Sequence, residues 1–373
     1  MKCPRKTIMS NIKDERELLS KPGDTILETL EYMHMTQAEL ATRMGRTAPK
    51  INDIISGKEP ITLNTALQLE KVLGIDAYFW LNREVQYREK LLRIEQEEFL
   101  EDCLGWLEQQ PVKELKKMGY LNPEKKGTAL VNDMLHFYGV VSPVEWEMVY
   151  VNNYASTSFR KSNAHQNALG SIAAWLRIGE IELRKLTLPE YSKERFKKCL
   201  HDAKEIARRH PEDFANQLKD LCFAAGIALI YSQSLTHAPI SGATRWIGGK
   251  PVIQITDRYK TNDQFWFTFY HEAGHISLHG KKDIFLEQFD GYVNDEHKED
   301  EANNFASEWL LPDSLLQDLP DRITNEVIKN IARSAGTHPG IVVGRLQKLG
   351  KLPYSFGEDF KFKIDLQYFI NGT

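Results

Sequence analysis

One β-rich stretch, between residues 226 and 256, interrupts a chain that is otherwise patterned for helices. The runs GIALIYSQ and PVIQIT are rich in β-branched residues and bounded by Gly and Pro, as strands are, and SGATRW between them is a third, weaker strand. The apolar, helix-length segment DQFWFTFYHEAGHISLHG follows at once. This order predicts a small sheet followed by a buried helix, and therefore an α+β domain near the end of a mainly α, multidomain chain.

The buried helix carries the pattern H-E-x-x-H at His271, Glu272 and His275. Two histidines four residues apart share one face of a helix, so both imidazoles can bind one Zn²⁺. Glu272 is suited to accept a proton from the attacking water and to pass it to a leaving amine. The position of the pattern, inside an apolar helix after a β-rich region, is typical of zincin active-site helices.

A catalytic zinc needs a third protein ligand. His279 continues the same helix face, but it lies eight residues from His271, or roughly 12 Å along the axis, so we exclude it. In the run EHKEDEANNFASEWLLP, Glu299 precedes Asn303 by four residues, and the two lie on one apolar face. This spacing resembles the gluzincin arrangement, in which a glutamate binds zinc and the later residue hydrogen-bonds a ligand histidine. The alternatives in the same run are Glu296, His297 and Glu301.

The segments TRW, PVIQI, FWFTFYHEAGHISLHG, EDEANNFASEWLLP and HPGIVVGRLQ together resemble the ImmA/IrrE family of zinc metallopeptidases over roughly residues 220 to 350. The resemblance implies a peptide or protein substrate, His271, His275 and Glu299 as zinc ligands, and Glu272 as general base. Further candidates for oxyanion or substrate binding, each interpreted as an ordinary surface residue, are Arg245, His237, His297 and Tyr292. A peptide substrate could also pair with the edge of the strand SGATRW.

Residues 24 to 82 show apolar positions three and four apart, interrupted by short breaks, which predicts a small all-helical domain. Thr36 and Thr47 are suited to be N-caps of two short helices, with Gly45 in the turn between them. This is helix-turn-helix geometry. Pro49 supports the second helix start, because proline is tolerated in the first turn.

Positive charge is concentrated around the second of these helices. Residues 43 to 58 hold four bases, against Asp53 as the one acid; the bases are Arg43, Arg46, Lys50 and Lys58. Lys50 and Asn52 lie on the face opposite the isoleucines and are suited to contact base edges or phosphates. An ordinary helical bundle with surface lysines is the alternative interpretation.

The segment TQAELATRMGRTAPKINDIISGKEPITLNTALQLEKVLG resembles the XRE (lambda-repressor-like) helix-turn-helix family, and with DAYFWLN it is similar to the HigA-type antitoxin branch. The resemblance implies a double-stranded DNA operator, a homodimer, a toxin as protein partner, and Gln37 as a phosphate or backbone contact. The residues expected to contact DNA are Gln37, Arg46, Thr47, Lys50, Asn52 and Lys58.

These segments divide the 373 residues into four parts. The predicted domains are a helix-turn-helix domain at 17–85, a helical connector at 86–215, a zincin-like domain at 216–350 and a C-terminal tail at 351–373. A long helix from Ala77 to about Cys103 leads out of the first domain, because this charge-rich stretch holds no Gly or Pro.

Composition limits the function classes. The net charge of -4 excludes a protein that coats nucleic acid or membranes by bulk charge, so a DNA surface must be local. The sequence predicts no membrane span and no secretory signal, which favours a cytoplasmic protein with four reduced cysteines. We therefore expect a DNA-binding regulator with a zinc peptidase domain that cleaves itself or a partner. The alternative is a non-enzymatic antitoxin whose zincin-like domain is structural or binds the toxin.

Overall fold

The computed structural model describes residues 14–151, 163–238, 240–258, 261–280, 285–286 and 296–366. The fold is mainly helical with one small sheet, as the sequence predicts. The chain divides into two compact units. The first unit comprises the residues up to Gly105 together with Lys125–Asn132, and the second comprises Trp106–Glu124 together with the chain from Asp133 onward.

Between residues 22 and 102 the first unit forms the helices α1 (Pro22–Tyr32), α2 (Gln37–Arg43), α3 (Ala48–Ile55), α4 (Leu63–Leu73) and α5 (Ala77–Asp102). Thr36 caps α2, where its side chain accepts the Glu39 N–H. Thr47 is the N-cap residue of α3 by position, although its hydroxyl makes no capping bond. Gly45 follows α2 with φ of 64°, which favours glycine and allows the tight turn into α3.

The apolar faces of these helices form one core. Its buried members include Ile26, Leu30, Leu40, Ile51, Ile54, Leu69 and Trp80. Trp80, at the first turns of α5, is fully buried and donates its indole N–H to the Ile75 carbonyl. The predicted long helix is present as α5, which begins in this core and lies within the first unit over its whole length.

Between α5 and the sheet, the described chain forms the helices α6 (Val112–Lys117), α7 (Gly127–Tyr138), α8 (Pro143–Trp146), α9 (Asn163–Arg184), α10 (Lys193–Arg209) and α11 (Phe214–Ala225). Cys199 on α10 and Cys222 on α11 are distant in sequence, yet their Sγ atoms lie 4.0 Å apart in the core. Both thiols are free and buried, in agreement with the expectation of reduced packing residues.

The sheet contains β1 (Ala228–Ser232), β2 (Gly242–Ile247), β3 (Lys250–Thr256) and β4 (Phe285–Leu286), in the order β1-β3-β2-β4. β1 is parallel to β3, while β2 is antiparallel to both of its neighbours. The expected edge addition of a peptide to β2 is wrong over Ala243 and Thr244, because β4 already pairs there.

The chain continues with α12 (Asn262–Leu278), α13 (Glu296–Leu310), α14 (Asn325–Ala335) and α15 (Pro339–Lys348). Helix α14 packs in a small separate core with Leu311, Val342 and Leu346. The second core lies between the sheet and α10, α11, α12, α13 and α15. The aromatic side chains of α12 are buried at its centre, among them Phe265, Trp266, Phe269 and Tyr270. The H-E-x-x-H pattern thus lies on a helix fixed along most of its length. No helix in the described part of the chain is both long and apolar enough to span a bilayer.

Candidate metal centre and nucleic-acid interface

His271 and His275 lie one turn apart on α12, and their Nε2 atoms are 3.1 Å from each other. Both rings are buried. The helix places the rings side by side because residues four apart share a face. Two ring nitrogens this close together can bind the same metal ion.

Glu299 on α13 completes this group. Its carboxylate oxygens lie 3.2 Å from His271 Nε2 and 3.5 Å from His275 Nε2. The two helices approach closely at Gly274, where a Cβ atom would lie 3.2 Å from the Cα of Ala302 and from the ring of Phe305. Within the described residues this is the one group of three His, Cys, Asp or Glu side chains whose ligand atoms all lie within 4.8 Å of one another.

The alternative ligands lie outside this group. Glu301 contacts His279 Nε2 at 3.1 Å, and His297 is an exposed side chain 3.5 Å from Glu301. Glu296 is exposed at the start of α13. The geometry therefore brings Glu299, and none of the three alternatives, to the two histidines.

The outer nitrogens of both histidines are also engaged. His271 Nδ1 lies 3.2 Å from Asn303 Oδ1, so Nδ1 carries the proton and Nε2 is left with its lone pair. His275 Nδ1 lies 2.9 Å from His279 Nδ1. Burial, followed by the neighbouring His271, His279 and Lys298, lowers the pKa of His275 to about 2. A neutral imidazole is the form that binds a metal ion.

Zinc fits this donor set. Tetrahedral coordination with bonds of about 2.0 to 2.1 Å places ligand atoms about 3.3 to 3.4 Å apart. The two histidine Nε2 atoms are 3.1 Å apart, Glu299 Oε2 lies 3.2 Å from His271 Nε2, and Glu299 Oε1 lies 3.5 Å from His275 Nε2, all close to this spacing. Two imidazoles and one carboxylate are also the ligand types of a catalytic rather than a structural zinc site.

Glu272 is fully buried beside His271, His275 and Glu299, which together are called the triad below. Its Oε2 accepts a 2.6 Å hydrogen bond from the Thr244 hydroxyl on β2. Gly242 makes room for this carboxylate, because a Cβ atom there would lie 2.5 Å from Glu272 Oε1. Neither Thr244 nor Gly242 is identified by the sequence analysis. Residues two apart on a strand share a face. The spacing of Gly242 and Thr244 is therefore the one signal in the sequence that could have identified them.

Within the described residues, the other candidates for substrate binding, Arg245, His237 and His297, do not join the triad. The interpretation of Arg245 as a surface residue is wrong, because its side chain is buried. It points to the other face of the sheet from Thr244. Its guanidinium donates hydrogen bonds to the Leu176 carbonyl and to Gln254. His237 and His297 are exposed, as expected of surface residues. Tyr292 lies outside the described residues.

The helix-turn-helix surface presents most of the predicted DNA contacts to solvent. The exposed members are Gln37, Thr47, Lys50, Asn52 and Lys58. Lys50 forms an ion pair with Glu59. Arg46 is half-buried and donates to Gln68 at 2.8 Å and to Thr65 at 2.9 Å. These bonds hold α4 against the turn, which gives Arg46 a structural role in addition to any contact with DNA.

Comparison with known protein families matches both regions. Residues 30–80 match a helix-turn-helix family, and residues 224–346 match the family described as IrrE N-terminal-like domain. No curated protein matches the chain. The chain thus carries a helix-turn-helix domain and an IrrE-like domain of the peptidase type.

Proposed function

We propose that the protein is a DNA-binding regulator, of the HigA-type antitoxin or stress and defence repressor kind, whose C-terminal domain is a zinc-dependent peptidase that cleaves the chain itself or a protein partner. The convergence of His271, His275 and Glu299 beside the buried Glu272 carries this proposal. A purely structural metal site would not need Glu272. The test is cleavage by the zinc-loaded chain that a chelator abolishes.

In this mechanism His271, His275 and Glu299 would hold a zinc ion, and Asn303 fixes the ring of His271. A bound zinc ion would supply Lewis-acid chemistry for the peptide carbonyl and the attacking water. Glu272 accepts the proton of the attacking water and delivers it to the leaving amine. The Thr244 hydroxyl orients the Glu272 carboxylate through the 2.6 Å hydrogen bond to Oε2.

The orienting role of Thr244 gives a specific prediction. Thr244→Val should lower kcat for peptide cleavage by about tenfold, because a carboxylate displaced from its productive position loses rate steeply. Zinc content should be unchanged, and Thr244→Ser should restore most of the rate because it keeps the hydroxyl. Peptide cleavage and zinc content measured on the same preparations check this. A valine variant as fast as wild type would remove Thr244 from the mechanism.

In the proposed N-terminal function, a homodimer in the cytoplasm binds an operator through α3, with a toxin as the protein partner. Lys50 and Asn52 are both exposed on this helix, and the bases of residues 43–58 give it local positive charge. Phosphate contacts supply much of the affinity, and side chains on the recognition helix supply the sequence preference.

Lys50→Ala is expected to weaken operator binding and to lower the slope of log K against log salt by about one, which is the effect of losing one phosphate contact. Asn52→Ala is expected to weaken binding with the slope unchanged. The matched control is Lys71→Ala, which removes an exposed lysine from α4. Gel-shift titrations at several salt concentrations measure these values. Wild-type binding by both variants would place the DNA surface elsewhere.

A further inference from the structure

His279 continues the histidine face of α12 by one further turn, yet it is not one of the side chains whose ligand atoms converge in the triad. It is the C-cap residue of the helix, and its ring centroid lies 5.0 Å from that of His275. Its side chain is only 3 % exposed. Buried polar side chains in folded proteins nearly always have hydrogen-bond partners, so the partners of this ring indicate what it does.

Both ring nitrogens of His279 lie within hydrogen-bonding distance of another side chain. Nδ1 is 2.9 Å from His275 Nδ1. Nε2 is 3.1 Å from Glu301 Oε2. The His279 ring therefore connects a histidine of the triad to a carboxylate on α13.

Metal binding by His275 would fix the positions of the protons in this series. A neutral histidine that binds a metal ion through Nε2 carries its proton on Nδ1. His275 is then the donor in its contact with His279, and His279 Nδ1 must be the acceptor. His279 consequently carries its own proton on Nε2, where the Glu301 carboxylate accepts it. The other tautomer of His279 would set two N–H groups against each other at one contact and two acceptors at the other.

The ring of His271 is held in a comparable way, because its Nδ1 lies 3.2 Å from Asn303 Oδ1. Helix α13 thus supplies the ligand Glu299 and also the supports behind both histidines. Asn303 supports His271 directly, and Glu301 supports His275 through His279. An acceptor behind a ligand histidine fixes its tautomer and ring orientation and raises its basicity.

We infer that His279 is a positioning residue of the metal site: it accepts the Nδ1–H of His275, is itself held by Glu301, and keeps His275 Nε2 available to the ion. The inference rests on the proposed zinc-dependent function, and it assigns His279 to metal affinity rather than to contact with the substrate. Without this acceptor, the His275 ring loses the contact that sets its orientation, and zinc binding weakens.

Zinc affinity of the full chain, measured by competition with a chromogenic chelator, tests this inference without requiring turnover. His279→Leu, which has no acceptor, should weaken zinc binding by about 10- to 100-fold. His279→Asn should recover most of this loss, because its Oδ1 can accept the His275 Nδ1–H as Asn303 Oδ1 does for His271. Leucine and asparagine have similar shapes, so the difference between the two variants reports the hydrogen bond rather than the packing.

His297→Leu is the matched control. His297 also contacts Glu301, at 3.5 Å, but its side chain is 79 % exposed and lies outside the series His275, His279 and Glu301. This variant should bind zinc with the affinity of wild type. Circular dichroism checks that each variant is folded.

The tautomers provide a second readout, which a purely structural role of His279 would not fix. Nitrogen NMR of the zinc-loaded chain with isotope-labelled histidine should show the His279 proton on Nε2 and the His275 proton on Nδ1. The signals that disappear in His279→Asn identify His279. Equal zinc affinities of His279→Leu and His279→Asn, or a His279 proton on Nδ1, would overturn the positioning role and leave the triad intact. If wild type binds no zinc, the metal site itself is wrong, and the role of His279 fails with it.

Discussion

Glu272→Gln is expected to lower the rate of peptide-bond cleavage by about 10²- to 10⁴-fold, which is the usual contribution of a general base. The amide has the size of the carboxylate and still accepts the hydrogen bond that Thr244 donates to Oε2. It cannot accept the proton of the attacking water. Zinc content and fold should therefore be those of wild type, and the loss should appear in kcat.

The matched control for this variant is Glu296→Gln, an exposed carboxylate at the start of α13 that should keep full activity. Operator binding should persist in Glu272→Gln, because the helix-turn-helix domain is separate from the peptidase domain. Repression in cells should then resist the signal that normally relieves it. Wild-type behaviour of Glu272→Gln in both cleavage and derepression assays would favour the non-enzymatic antitoxin instead.

Loss of any one ligand should release the metal. His271→Ala, His275→Ala and Glu299→Ala are each expected to weaken zinc binding by more than about 100-fold, since changes in groups that merely support ligands already cost about 10- to 100-fold. Each variant removes one of the three side chains whose ring nitrogens and carboxylate oxygens contact one another at 3.1 to 3.5 Å. Zinc content after dialysis, combined with competition against a chromogenic chelator, measures the loss.

Glu301→Ala is the control for Glu299→Ala, because both glutamates lie on α13 and only Glu299 reaches the histidine Nε2 atoms. Glu301 contacts His279, which contacts His275, so its removal should cost no more than about tenfold in affinity and leave one zinc per chain. Full zinc binding by Glu299→Ala together with zinc loss in Glu301→Ala would show that the third ligand is Glu301.

The local parts of the site could be predicted from the sequence. A spacing of four places His271 and His275 on one helix face, and the same spacing pairs Glu299 with Asn303 on another. The contact between His271 and Asn303 is what the resemblance to the gluzincin arrangement implies, and His271 Nδ1 and Asn303 Oδ1 lie 3.2 Å apart. The helix bounds of the N-terminal domain follow in the same way from apolar periodicity and the glycine after α2.

Contacts that depend on how distant segments pack could not be predicted. Thr244 reaches Glu272 across 28 residues because β2 passes alongside α12, and no local pattern fixes that register. Arg345 and Lys348 line the same cleft as His271 only because α15 packs beside α12. Arg46 illustrates the same limit in the other unit, since its charge suggests a phosphate contact while its hydrogen bonds go to Thr65 and Gln68 on α4.

The proposed peptidase function requires that the metal-loaded protein cuts a peptide bond. The most direct measurement is intact-mass spectrometry of the zinc-loaded wild-type chain, incubated alone and with the protein encoded beside it. We expect two fragments whose masses sum to that of the substrate plus one water, formed with zinc and absent with chelator or with Glu272→Gln. Intact masses under every condition, with one zinc bound per chain, would contradict the proposed peptidase function.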